Sequence, residues 1–364
     1  MGKYFLRRLL LIIPTLFGVI LINFTIVQFA PGGPIEQIIA KATMGQMSTT
    51  SAISGGGDSG MSSQAMEQNA ATQNPATYGL DPELIADLEK QFGFDKPVHE
   101  RFFSMLKNYL RLDFGTSYFQ DRPVVELVVE RMPVSISLGL WSLLLIYGIS
   151  IPLGIAKSTR DGTRFDFWTS TVIFVGYAIP GFILAILLIV VFAGGNYFDL
   201  FPLRGLHAEN ASELPLWDWW VDYFWHLALP IASLTIGGFA TLTMLTKNSF
   251  LEEISKQFVL TAQAKGLTET RVLYGHVFRN AMLIIIAGFP AAFVGILFTG
   301  SVLIEVIFSL DGMGLLSYEA LLKRDYPILF GTVFCFTLIG LVMHLVGDIV
   351  YTLVDPRIDF ESRD

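Results

Sequence analysis

Long apolar stretches separated by polar ones set the pattern of this chain. Six of them, residues 9–30, 134–156, 168–193, 226–246, 281–303 and 328–354, run on without a basic residue. A helix rising about 1.5 Å per residue needs about 20 residues to cross about 30 Å of hydrocarbon, and each stretch is long enough. None of the 24 Lys and Arg residues falls inside them, consistent with a cost of about 2.5–3.5 kcal/mol for such a residue at the bilayer centre. Buried helices of a water-soluble protein would carry basic residues on solvent faces within these windows. The pattern predicts an all-α, polytopic membrane protein with six transmembrane helices. The first stretch follows Lys3, Arg7 and Arg8 as a signal peptide would, but it is long and runs into Ala30-Pro31-Gly32-Gly33 without a small-x-small cleavage site. It reads as a retained helix.

Six crossings place both termini on one side, and the basic residues choose the side. With the termini inside, 13 basic residues fall in 63 inner residues and 11 in 159 outer ones, so the positive-inside rule makes the termini cytoplasmic. The chain then divides into a cytoplasmic N-terminus with the first transmembrane helix over 1–30, an external segment over 31–133, a five-helix core over 134–354 and a cytoplasmic tail over 355–364.

The polar segments differ in character. Residues 41–77 are mainly Ser, Gly, Gln, Ala and Thr with no aromatic residue, too poor in apolar surface to offset chain entropy, and predict a disordered external insert. Its Met44, Met47, Met61 and Met66 have no Cys or His beside them, so no metal is expected. Beyond it, Asp81-Pro82-Glu83 opens a helical pattern of Leu84, Ile85, Leu88 and Phe92, and Phe102, Met105, Leu106, Tyr109 and Leu110 repeat it, predicting amphipathic helices on the outer face. Trp217, Trp219, Trp220 and Trp225 cluster beside a span entrance, where indole rings anchor the headgroup interface. The longest inner loop, 247–280, predicts a helix ending at Gly266, a left-handed C-cap, and a second short helix through His276. Small residues at that bend suit the close approach of another protein, and a plain re-entry loop would look the same.

Composition agrees with the pattern: 52% of residues are hydrophobic and 15% charged, where soluble domains average about 25% charged. The net charge of −8 argues against a nucleic-acid partner, which needs a basic face, and the single cysteine excludes an internal disulfide. Resolved by side, the charge is +4 inside and −11 outside.

Candidate chemistry is sparse. No GxxxxGK[ST] occurs, so a P-loop phosphate cradle is absent from the sequence, and neither HExxH nor a Gly-x-Ser-x-Gly elbow is present; no catalytic residue and no bound cofactor or metal is expected. Asp348 is the acid within a stretch, with His344 one turn earlier. An ion-coupled secondary transporter needs such intramembrane groups, whereas a position near the inner end of the span also suits packing. Gly312 and Gly314 follow the fifth stretch, with Glu305 and Asp311 at the borders. They form a candidate gate that could dip back from the outer face under cover of protein, its acids attracting positive groups of a substrate or serving only as solvated charges. Ser301 beside Gly300 suits a helix contact, and Cys335 an inert filler.

Three segments together carry a resemblance. Thr261-Ala262-Gln263-Ala264-Lys265-Gly266, followed by His276 to Ala281, resembles the EAA loop of the permease subunits of peptide-importing ABC transporters. RRLLLIIPTLFGVILINFTIVQFAPGGP resembles their first helix, and RDYPILFG with DIVYTLVDPRID their last external turn and C-terminus. Leu260 stands where the general pattern has Glu, and Phe278-Arg279 where it has Leu-Pro, departures that peptide permeases share. The length, the insert and strings such as HLALP and TMLTKNSFLEE are similar to the subgroup importing oligopeptides and microcin C in the bacterial inner membrane. The resemblance implies a type I ABC importer permease fold and half of a permease heterodimer. It implies as partners a second permease subunit, ATP-binding subunits that hold ATP and Mg, an external substrate-binding protein and a peptide substrate. Thr261, Ala262, Ala264, Lys265, Gly266 and Leu267 would then form the coupling helix that docks on an ATPase and transmits its closure.

Overall fold

The computed structural model describes residues 2–29, 96–195, 197–295 and 301–354. Among these residues the regular structure is helical, apart from one isolated antiparallel bridge between Thr116 and Pro123. The insert 41–77, the helix expected from Asp81 through Phe92, Gly300 and the tail 355–364 lie outside the described residues.

The helices are α1 (Gly2–Phe29), α2 (Val98–Tyr109), α3 (Val124–Ser158), α4 (Arg164–Tyr177), α5 (Gly181–Phe192), α6 (Leu216–Ile254), α7 (Gln257–Ala264), α8 (Glu269–Val272), α9 (Phe278–Gly295), α10 (Ser301–Ile307), α11 (Met313–Lys323) and α12 (Tyr326–Val354). Five helical runs are long and apolar enough to cross a membrane, and a sixth crossing is counted when α4 and α5 are taken as one span.

Three expectations need correction. The stretch 168–193 is not one straight helix: α4 and α5 meet at an angle of 89°. Pro180 lacks an N–H and disfavours helical geometry at Ile179 before it, which breaks the helix there. Gly181 then lets α5 start directly against α6, since a Cβ at that position would lie 2.8 Å from the Ser233 carbonyl oxygen. The helix of the fourth stretch begins earlier than residue 226, because α6 runs unbroken from Leu216 and its 39 residues span about 58 Å. Trp217, Trp219, Trp220 and Trp225 therefore occupy its first turns. The fifth crossing begins earlier than residue 281, as α8, a π turn over Leu273–Val277 and α9 form one run from Glu269 to Gly295.

The chain forms two compact units. The first, Met1–Ile13 with Leu127–Glu319 and Cys335–Asp364, holds two apolar clusters, one around Leu138, Leu227, Ile304 and Phe308, the other around Phe250, Val259, Ala262, Val272 and Ile285. Small residues allow its helices to touch: a Cβ on Gly154 would lie 2.5 Å from Thr246 Cβ, and one on Gly238 2.4 Å from Ile146 Cδ1, the close backbone approach that replaces hydrophobic sorting inside a bilayer. The second unit, Pro14–Glu126 with Ala320–Phe334, is built on rings. Tyr109, Phe114 and Phe334 pack edge-on and tilted at centroid distances of 5.0, 5.4 and 5.5 Å. Asp325 before α12 is buried and accepts from Ser117 Oγ at 2.6 Å and from the Tyr118 N–H at 3.4 Å.

Candidate functional site

The loop 247–280 folds as a helical hairpin. α7 closes in a Schellman motif: the Gly266 N–H donates to the Gln263 carbonyl at 2.9 Å and the Leu267 N–H to the Ala262 carbonyl at 3.4 Å, with Gly266 at φ +81°. The left-handed C-cap expected from the sequence is thus present, and glycine is there because a Cβ is costly in that conformation. Leu267 packs with Val259 and Ala262 into the cluster that also holds Phe250 and Val272, which is the hydrophobic contact the motif favours. The two faces of α7 therefore separate. Val259 and Ala262 are buried, whereas Leu260, Thr261, Ala264, Lys265 and Gly266 are exposed. Leu260 is 62% exposed and one turn from Ala264, so a leucine and an alanine share a face that is outward among the described residues. The second short helix expected through His276 continues instead through the π turn into α9, and Ser249 Oγ fixes that junction by donating to the Ala281 carbonyl at 2.7 Å. Lys256, before α7, bonds Glu253 and also faces Glu252, which holds its ammonium above the ordinary lysine range.

Behind this hairpin lies a charge cluster that sequence reasoning did not single out. Lys157, 0% exposed, reaches Asp166 Oδ1 at 2.9 Å and donates to the Asp166 carbonyl, Thr169 Oγ1 and Ser170 Oγ at 2.9, 2.9 and 2.7 Å. Lys247 bridges Asp166 Oδ2 at 2.7 Å and Asp161 Oδ1 at 2.8 Å. Thr163 caps α4, accepting from the Asp166 N–H at 3.4 Å, while Asp166 Oδ2 accepts from the Gly162 N–H at 3.3 Å, a reciprocal capping arrangement. The end of α3, the start of α4 and the part of α6 that leads into α7 are thereby tied to one carboxylate. A signal was available, since Lys157, Asp166 and Lys247 flank three apolar stretches with opposite charges on the same predicted side.

The glycine segment after α10 is closed rather than hinged. Glu305 is 0% exposed; its carboxylate accepts from Ser135 Oγ and from the Leu315 N–H, both at 2.8 Å, and Ser135 Oγ in turn accepts from the Met313 N–H at 2.9 Å. A Cβ on Gly312 would lie 2.5 Å from the Glu305 carboxyl carbon, and one on Gly314 2.9 Å from its Oε2. The glycines serve close approach here, and the Glu305 carboxylate is turned onto the start of α11. Asp311 is exposed and pairs with Arg131. Asp348 pairs with Arg8, while His344 is exposed, so the geometry gives the intramembrane carboxylate a fixed cation on the first helix.

The comparisons with known proteins agree in direction. Residues 150–360 match the family described as the binding-protein-dependent transport system inner membrane component. Over its whole length the chain is 57% identical to the peptidoglycan transport system permease protein YejB of Agrobacterium fabrum, and 56% identical to the inner membrane ABC transporter permease protein YejB of Escherichia coli O157:H7, covering 100% of each. It is 31% identical to the oligopeptide transport system permease protein AppB of Bacillus subtilis, over 99% of this chain and 100% of that one. Relatives of this kind are permease subunits and not enzymes, and they do not favour the ion-coupled reading of Asp348 and His344. With crossing helices, a capped loop hairpin and end-to-end similarity in agreement, the chain belongs to the family of inner-membrane permease components of binding-protein-dependent ABC transporters.

Proposed function

We propose that this chain is one half of the translocation path of an ATP-driven peptide importer, and that Thr261, Ala262, Ala264, Lys265, Gly266 and Leu267 couple it to the ATPase. The observation that carries this reading is the two-faced α7 hairpin. One side is locked into the apolar cluster by Val259, Ala262 and Leu267, and the other presents Leu260, Ala264 and Gly266 outward. A push on the exposed face is delivered through a rigid cap to α6 and α9. The peptide assignment draws on the oligopeptide permease among the relatives, and the family description supports an external binding protein as the loading partner. A second permease subunit completes the path, and ATP with Mg is held by partner ATPase subunits. Both termini lie in the cytoplasm, as the basic residues indicate. Asp311, Gly312 and Gly314 belong to the outer gate, with Glu305 as its internal fastening.

Ala264→Trp tests the coupling face, because Ala264 is helical and exposed, so the change leaves the subunit's own packing intact. We expect the variant to insert and unfold like the parent while ATPase subunits no longer co-purify and peptide uptake is lost. Full assembly with normal uptake would refute the assignment.

A further inference from the structure

Helix α2 lies at a depth that its sequence position does not announce. The Phe102 ring packs edge-on against Phe17 at 5.8 Å and Phe24 at 5.3 Å. Both partners belong to the apolar stretch 9–30, Phe24 about 9 Å of helix from its outer end and Phe17 deeper still. With α1 crossing the bilayer, a side chain wedged between them would sit below the headgroups, which puts α2 at the boundary of headgroups and acyl chains, where amphipathic helices settle. Its free surface fits that place. Phe103 and Leu110, seven residues apart and on one face, are 63% and 73% exposed, and facing acyl chains they lose contact with water.

The neighbouring face of α2 carries charge and a cavity. Arg101, Ser104 and Asn108 line a space of about 300 Å³ together with Lys96 and Tyr118. The stretch 96–111 holds Lys96, Arg101, Lys107 and Arg111 against Glu100 alone, on an outer side that otherwise carries an acidic excess. Asp113 also lines the cavity, and one of its carboxylate oxygens accepts the Gly115 N–H at 3.0 Å. The Tyr118 hydroxyl is held above the ordinary phenol range by burial and by the nearby Asp325 charge, so it stays a proton donor. The floor is aromatic, from Phe24, Phe114 and Tyr326.

We propose that this cavity binds the phosphate of an anionic phospholipid of the outer leaflet, with Arg101 and Lys96 gripping the phosphodiester and Phe103 and Leu110 inserted beside its chains. Arginine suits a phosphate through its planar set of donors, and basic residues at a membrane surface each raise the affinity for anionic lipid about fivefold. The inference rests on α1 crossing the bilayer and does not depend on the ATPase coupling.

The test uses the assembled importer in nanodiscs of equal parts phosphatidylglycerol and phosphatidylcholine, with tightly held lipid counted by native mass spectrometry. The wild type should retain phosphatidylglycerol over phosphatidylcholine, and Lys96→Gln with Arg101→Gln should lower that preference about tenfold or more, with Arg101→Lys retaining part of it. Lys96→Gln alone, at an exposed position outside the helix, should give a partial loss without a change in unfolding temperature, which separates binding from folding. Retained lipid that mirrors the bulk ratio in the wild type, or a preference unchanged in the double variant, would overturn the proposal. So would displacement by excess inorganic phosphate, the mark of a small-anion site, or a double variant that loses only its association with the external binding protein, the mark of an acidic protein surface.

Discussion

Glu305 shows how a residue chosen for its charge can work by its shape and hydrogen bonds. Read along the chain it borders a glycine segment and invites a role in attracting substrate; in the fold it is enclosed, and its carboxylate occupies the space that a Cβ at Gly312 or Gly314 would need. The sequence shows acid and glycines near one another but cannot show that Ser135, far away on α3, supplies the hydrogen bond that turns the carboxylate inward. Gly312→Ala should therefore destabilise the segment, lowering the unfolding temperature and the yield of folded protein. Glu305→Ala should relieve that clash, so the double variant is less damaged than the sum of the two single changes. Strict additivity would mean that the two positions do not press on one another.

At the scale of elements, crossing helices are legible because a span needs continuous apolar sequence, and among the described residues the six stretches found by that rule fall on α1, α3, α4 with α5, α6, α9 and α12. Breaks are less legible. Pro180 bends α4 against α5 by 89°, yet Pro152 and Pro230 sit inside α3 and α6 without ending them, since neighbours in the bilayer can satisfy what a proline frees. Helix ends beyond the bilayer are hidden too, because α6 starts at Leu216 in residues whose indoles also suit a loop at the interface. The C-cap at Gly266 was readable, as local backbone sterics alone demand it; the face of α7 that is free was not, for burial depends on α6 and α9. The Asp166 clamp joins elements in the same way. Asp166→Asn removes the charge that faces buried Lys157 and Lys247, and breaking such a buried pair costs about 3–5 kcal/mol. We expect a clear drop in unfolding temperature, partly recovered when Lys157→Met removes the stranded ammonium. A neutral Asp166→Asn would show that the lysines find other partners.

For the molecule as a whole, the topology expected from the sequence divides charge across the bilayer, with 13 basic residues on the terminal side and a net −11 on the other. Insertion follows the basic residues near span ends, so a C-terminal alkaline phosphatase fusion should be inactive and a C-terminal green fluorescent protein fusion bright; the opposite pair of results would invert the topology. The same division explains why the sequence points so firmly to transport and so weakly to chemistry. Asp348 apart, charged groups are excluded from the six stretches, and Lys157, Asp166 and Lys247 hold helices together at their borders.

The central claim, that ATP hydrolysis on partner subunits drives peptide through this permease by way of α7, is tested most directly by uptake of labelled peptide into cells producing the complete importer. The account predicts uptake that survives collapse of the proton gradient, stops on ATP depletion and is abolished by Ala264→Trp. Uptake that follows the proton gradient and persists without ATP would contradict it.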